Sequence, residues 1–229
     1  MTVVLYDLVG REDRRFSPHC WRTRMALAHK GLECEARPTR FTDIGRIGDG
    51  QVKTVPAIED GGRLIGDSWA IARYLEATYP ERPSLFGGAG GEAVTRFVQN
   101  WCVAVLHAGL IGMVVSDIHE HLVPEDQAYF RTSREQRFGR TLEEVQAGRE
   151  ARVEGFRKSL QPVRMTLKDA PFLGGAQPLY ADYLVFGALQ WARVISPFRV
   201  LEPDDPVSAW FERCLDLHGG LGREQAGYW

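Results

Sequence analysis

Residues 2–31, TVVLYDLVGREDRRFSPHCWRTRMALAHKG, carry a strand-to-helix handover that leaves few folds open. Val3-Val4-Leu5-Tyr6 is short, apolar and β-branched, which predicts a strand buried on both faces. A charged loop follows, and Ser17-Pro18 then predicts a helix start. Serine accepts an orphan backbone N–H of the first turn, and proline has no N–H to lose at the next position. Trp21, Met25 and Ala28 recur on one face of that helix, which Gly31 can stop. Ser17 thus sits where free N–H groups and the positive end of a helix dipole favour an anion. The same residue reads equally well as a plain helix cap, and these residues alone leave both readings open.

The rest of the first third continues the pattern. Cys34 to Arg37 predicts a weak strand ended by Pro38, and residues 39–52 predict an irregular connection with one helical turn. Thr54 to Ile58 and Arg63 to Ile65, around Glu59-Asp60-Gly61-Gly62, predict a β-hairpin. Asp67 or Ser68 then caps a helix that Pro80 must end. Strand, helix, strand, hairpin and helix in this order predict a small mixed-sheet α/β domain.

Pro80 to Gly91, PERPSLFGGAGG, is a proline- and glycine-rich linker. Beyond it only helical periodicity appears. Phe97, Trp101, Val105 and Leu106 predict one stripe of a long helix from about Glu92 to Leu122. Val153, Phe156, Leu160, Val163 and Leu167 predict another helix, and Leu184, Ala188 and Trp191, then Val207 to Leu217, predict two more. Short pieces and turns are expected between Pro124 and Gly148. The expected organisation is an α/β domain over 1–82, a linker over 83–91 and an all-α helical bundle over 92–229.

Composition excludes several function classes. A formal charge of -2 over 229 residues gives no general attraction to nucleic acid or anionic membrane. The longest apolar run, Val103 to Val115, falls short of the roughly 20 residues of a membrane span and contains His107. MTVVLYDL enters a strand with no basic segment before it, so no signal peptide is expected. Widely spaced Cys20, Cys34, Cys102 and Cys214 predict reduced thiols in a cytoplasmic protein. His119 and His121 would point to different helix faces, so no metal site is expected.

The chain resembles the glutathione transferase family: thioredoxin-like α/β domain first, all-α bundle second. Ser17-Pro18-His19-Cys20 stands where thioredoxin-fold relatives carry their active-site turn, and Thr54-Val55-Pro56-Ala57 matches the family's Val-Pro, whose proline is cis. Asp67-Ser68 followed by Trp69 to Leu75 matches the opening of the family's third helix. Ala181-Asp182-Tyr183, after Phe172-Leu173-Gly174-Gly175, resembles the buried capping segment of the bundle's sixth helix. Ser-Pro-His-Cys-Trp-Arg and the closing residues 215–223 are most similar to bacterial glutathione-dependent β-aryl etherases and their fungal relatives. Two departures stand out: Leu179 replaces the usual capping hydroxyl, and Ser17 replaces the cysteine of redox members.

The resemblance implies glutathione as co-substrate, a homodimer and a small hydrophobic or aromatic electrophile. It implies Ser17 as the hydrogen-bond donor to the glutathione sulfur, with Cys20 one helical turn inside. Main-chain groups of Val55 beside Pro56 would pair with the cysteinyl amide, Asp67 with the γ-glutamyl ammonium, and Ser68 with its carboxylate. The glycyl carboxylate wants a cation, for which Arg40, Arg46 and Lys53 stay open. Trp101, His107 and Met113 are candidates for the electrophile pocket, although each also reads as core, and His107 as a satisfied buried histidine. Two other functions remain: a thiol–disulfide oxidoreductase, which Ser17 opposes, and a non-catalytic binder of hydrophobic ligands on the same fold.

Overall fold

The computed structural model describes residues 2–229. Strand β1 spans Val3–Leu8, with Val3 and Leu5 fully buried and Val4 and Tyr6 half-buried. The expected two-sided burial is therefore incomplete. One face packs on the main core; the other is covered only by a small cluster of Ile47, Val52 and Ala57, against which Tyr6 lies.

Helix α1, Pro18–His29, returns the chain to β2, Cys34–Thr39, which pairs in parallel with β1 from Val3–Cys34 to Leu8–Thr39. The strand runs through Pro38 instead of stopping there. That is tolerated because β2 is an edge strand, where a missing N–H breaks no ladder. Phe41–Gly50 forms 3-10 turns broken by non-helical Ile47, Gly48 and Asp49. Strands β3, Ala57–Asp60, and β4, Arg63–Gly66, form the predicted hairpin, antiparallel to β1, in a sheet of order β2-β1-β3-β4. Helix α2, Ser68–Thr78, closes this thioredoxin-like unit.

The bundle begins with α3, Ala89–Trp101, which runs through a π-helical segment, Cys102–His107, into α4, Ala108–Glu120. The predicted stripe does not carry along this helix: Leu106 is buried but Phe97 is 73% exposed. A π turn widens the helix by one residue and rotates the faces on either side of it, so a single 3.6-residue period cannot describe the whole. The combined helix, Ala89–Glu120, is also long and apolar enough to cross a membrane by length and composition, unlike the shorter run read from sequence; 44% of its most apolar window is buried inside the fold.

Then follow α5, Pro124–Phe138; α6, Leu142–Gln146; α7, Arg149–Ser159; and α8, Gln161–Thr166. The bundle ends with α9, Tyr180–Ile195, and α10, Pro206–Glu224. The expectation of only short pieces after Pro124 is wrong for α5, a helix of 15 residues. Its sequence is mostly polar, and the signals that mark it are terminal: Pro124 in the first turn and Gly139 in the left-handed conformation at the end. The apolar stripe from Val153 to Leu167 is divided by Pro162, which starts α8.

Helix α9 is the centre of the bundle, with every residue except Arg193 buried. A Cβ on Gly187 would lie 2.5 Å from the carbonyl oxygen of Pro18, so glycine lets α9 press on the first turn of α1. With no hydroxyl at Leu179, the first turn of α9 uses carbonyls: the Asp182 N–H donates to that of Leu179 at 2.9 Å and the Tyr180 N–H to that of Leu85 at 2.8 Å. Buried Asp182 accepts from the N–H of Leu179 at 3.0 Å, Leu173 at 2.7 Å and Gly174 at 2.9 Å, and from Trp210 Nε1 at 2.9 Å.

Fully buried Asp126 ties α5 to the first domain. It accepts from the N–H groups of Phe41 and Thr42, both at 3.0 Å, and from the Thr42 hydroxyl at 2.9 Å. Asp126→Ala removes two partly buried N–H bonds to a carboxylate, at about 1–3 kcal/mol each. The expected loss of roughly 2–4 kcal/mol lowers the thermal midpoint by about 4–15 °C in a chain of this size. A calorimetric scan in which the midpoint moved by less than 2 °C would contradict this account of the clamp.

Candidate active site

Ser17 is the N-cap of α1. Its Oγ accepts from the Cys20 N–H at 3.2 Å, and the residue is only 5% exposed. A hydroxyl offers one donor and two acceptor positions, so this cap bond leaves the O–H free to donate. The two sequence readings of Ser17, cap and anion donor, are therefore compatible in one geometry.

Ser17 opens onto a cleft of about 600 Å³ between the two domains. On the α/β side the cleft is lined by Lys53, Val55, Pro56, Asp67 and Ser68. The Val55–Pro56 bond is cis, and the Val55 main chain has no backbone partner among the described residues. Asp67 caps α2 through Oδ1, which accepts from the N–H groups of Trp69 and Ala70 at 3.0 Å each. It does so at φ 67°, a region that disfavours residues with a Cβ. Ser68 beside it is buried, and its carbonyl accepts from the Tyr180 hydroxyl at 2.8 Å, a direct link to α9.

The bundle side is aromatic and basic. Val103 and His107 enter the cleft from the π segment, where they lie one wide turn apart. Tyr129, Phe130, Arg134 and Phe138 enter from α5, and Trp191 from α9. The Arg134 guanidinium stacks over Phe130, 4.6 Å from the ring centre. His107 is held edge-on by His19 at 5.1 Å and by Trp191 at 5.9 Å between ring centres. Burial and the adjacent Arg22 charge push its pKa down to about 3, so the ring is neutral at ordinary pH.

Of the candidates named from sequence, Ser17, Lys53, Val55, Pro56, Asp67, Ser68 and His107 share this cleft. Among the three open cations, Lys53 lines it, whereas Arg40 does not and Arg46 is paired with Asp43 at 2.8 Å on the surface. Met113 is 1% exposed in the core and Trp101 packs against that core, so neither lines the cleft. Cys20 is buried, and burial holds its thiol well above the ordinary range, so it is not poised as a thiolate. Among the described residues no group of three histidine, cysteine, aspartate or glutamate side chains is placed to hold a metal.

The sequence reading missed Phe41 and the α5 residues. Phe130, Arg134 and Phe138 are spaced four apart, which would have placed them on one helix face had α5 been recognised. His19 and Arg22 lie within the Ser-Pro-His-Cys-Trp-Arg motif, three apart and so on one face of α1.

Comparison with known proteins places both domains. Residues 13–83 match the family model described as "Glutathione S-transferase, N-terminal domain", and residues 93–217 match "Glutathione S-transferase, C-terminal domain". The chain is 26% identical over 218 residues to the glutathione S-transferase-like protein ustS of Aspergillus flavus, covering 82% of this chain and 78% of that one. It is 35% identical over 83 residues to maleylacetoacetate isomerase of Dictyostelium discoideum, covering 33% of this chain and only 38% of that relative's length. A solved glutathione S-transferase of Ceriporiopsis subvermispora, in complex with glutathione, superposes with a TM-score of 0.77 at 26% identity, covering 97% of this chain and 94% of that one.

The cap at Asp67 generates a stability test independent of any ligand. Asp67→Ala loses the cap, about 1 kcal/mol, and keeps a Cβ at positive φ. Asp67→Gly caps within a few tenths of a kcal/mol and adopts that conformation freely. The glycine variant is expected to melt about 2–5 °C above the alanine variant; the reverse order in calorimetry would refute the strain argument.

Proposed function

This chain belongs to the glutathione S-transferase family, and from that premise we propose that it binds glutathione in the interdomain cleft and activates its thiol at Ser17. The observation that carries this reading is the donor of Ser17, a hydroxyl whose one hydrogen bond among the described residues is accepted from Cys20 N–H, at the N-terminus of α1 and lining the cleft. In this reading the Val55 main chain pairs with the cysteinyl amide, Asp67 with the γ-glutamyl ammonium, Ser68 with its carboxylate, and Lys53 with the glycyl carboxylate. The Ceriporiopsis relative solved with glutathione supports the ligand.

The energetics suffice without a general base. A free thiol has a pKa of about 8.5. A hydroxyl donating to its anion contributes about 1.5–3 kcal/mol, and the helix terminus about 0.3–1 kcal/mol. Together, roughly 2–4 kcal/mol lowers the pKa by about 1.5–3 units, enough to make thiolate the major species at neutral pH.

The electrophile is proposed to be hydrophobic or aromatic, since Tyr129, Phe130, Phe138 and Trp191 line the bundle side of the cleft. Cleavage of a β-aryl ether, with thiolate displacing a phenolate, is the specific reaction proposed from the Ser-Pro-His-Cys-Trp-Arg motif. The match to maleylacetoacetate isomerase covers only 83 residues, too few to carry that relative's substrate over to this chain. A thiol–disulfide role is disfavoured by the buried, protonated Cys20. A homodimer belongs to the same proposal, and Val94 and Phe97, 66% and 73% exposed on one face of α3, supply apolar surface for it.

Ser17→Ala removes the donor. In the glutathione complex, the pH at which thiolate absorbance appears is expected to rise by about 1–2 units, the equivalent of 1.5–3 kcal/mol. An unmoved titration in a variant that still binds glutathione would remove Ser17 from the role.

A further inference from the structure

His107 has a hydrogen-bond polarity fixed from behind. Arg22 stands on the bundle-facing side of α1, is 0% exposed and has no carboxylate within ion-pair distance among the described residues. Its Nη2 lies 3.2 Å from His107 Nε2. A guanidinium carries only donors and does not deprotonate in proteins, so Nε2 must be the acceptor. The neutral ring then keeps its one proton on Nδ1. That nitrogen has no hydrogen-bond partner among the described residues, and the ring that carries it lines the cleft. His19 and Trp191 pack edge-on against the ring at 5.1 and 5.9 Å between ring centres.

We propose that His107 donates from Nδ1–H to an oxygen of the electrophile, and that the cleft thereby selects electrophiles whose reaction with the thiolate leaves negative charge on oxygen. Arg22 is the positioning residue that sets this polarity. The inference rests on the transferase reading above and narrows its substrate class to aryl ethers that release a phenolate and enones that pass through an enolate. In the ether case the thiol proton has already gone to water. The sulfur lone pair forms the C–S bond, and the C–O pair departs with the aryloxy oxygen. That oxygen accepts the Nδ1–H bond without taking the proton, and is protonated by water after release. A halide leaving group develops charge on a larger, weaker acceptor and gains less from the same donor. A histidine presenting a lone pair to the cleft would instead repel the developing oxyanion, and the arginine rules that tautomer out.

The tautomer is measured directly. Long-range 15N–1H correlation of the histidine rings between pH 6 and 8 is expected to show His107 neutral with its proton on Nδ1; a proton on Nε2, or an imidazolium, overturns the inference. Turnover is compared for a benzyl aryl ether and a benzyl halide sharing the same reacting carbon. In His107→Phe the ratio of ether to halide kcat is expected to fall about 10- to 100-fold, the range for a hydrogen bond to a developing charge. In His107→Gln, whose amide can accept from Arg22 and still donate to the ligand, the ratio is expected to stay within about threefold of the parent. Equal losses on both substrates, or no recovery with glutamine, overturn the proposal even where the phenylalanine variant folds poorly. An absence of any turnover by the parent enzyme overturns the transferase reading and the catalytic role with it, whereas the wrong tautomer overturns the inference alone.

Discussion

Helix α1 is buried from both sides, and the site depends on that burial. The sheet and α2 cover one side and α9 the other, and Gly187 brings the α9 backbone against the carbonyl of Pro18. A helix so enclosed must satisfy its own ends. Ser17 supplies the acceptor at the first turn, and Lys30, 1% exposed in its side chain, caps the far end with a cation that pairs with Glu76 at 2.6 Å. The same enclosure leaves Ser17 only 5% exposed, which limits the water that can screen the helix dipole there.

The loop that delivers the chain to Ser17 is held by a buried charge cluster. Asp7, at 1% exposure on β1, pairs with Arg15 at 3.3 Å and Arg24 at 3.2 Å. Trp21 donates to the Arg15 carbonyl at 2.8 Å, which closes the loop onto α1. Burial pushes the Asp7 carboxyl above its ordinary range despite the two guanidiniums, a sign that desolvation outweighs their attraction. Such a cluster is weak support for net stability. Its contribution is to fix where the loop ends, and so where the cap hydroxyl stands.

The α/β half was legible because its signals are local. Ser17-Pro18, Val55-Pro56 and Asp67-Ser68 are each set by caps, turns or a proline within a few residues, and the structure gathers them on one wall. The bundle half was less so, for two reasons. The π segment at Cys102–His107 breaks the period on which a helical stripe is counted, which misplaced Phe97. Helix α5 carries mostly polar residues, and it is tied to the first domain by a buried carboxylate, Asp126, reaching the backbone of Phe41 and Thr42 about 85 positions earlier. No local pattern encodes a bond of that span.

These two kinds of information correspond to two kinds of chemistry. The wall that would hold glutathione is made of main-chain groups, caps and a single lysine, features that tolerate little change without loss of the local fold. The opposite wall is made of side chains on α5, the π segment and α9, whose backbones are fixed by contacts elsewhere. Residues such as Tyr129 and Phe138 can therefore be exchanged while Ser17 and its dipole stay in place. His107 is the exception, because its ring is tied through Arg22 to α1 itself. A substitution there would be felt by the helix that carries Ser17, which makes the polarity at Nδ1 the part of the electrophile wall least free to drift.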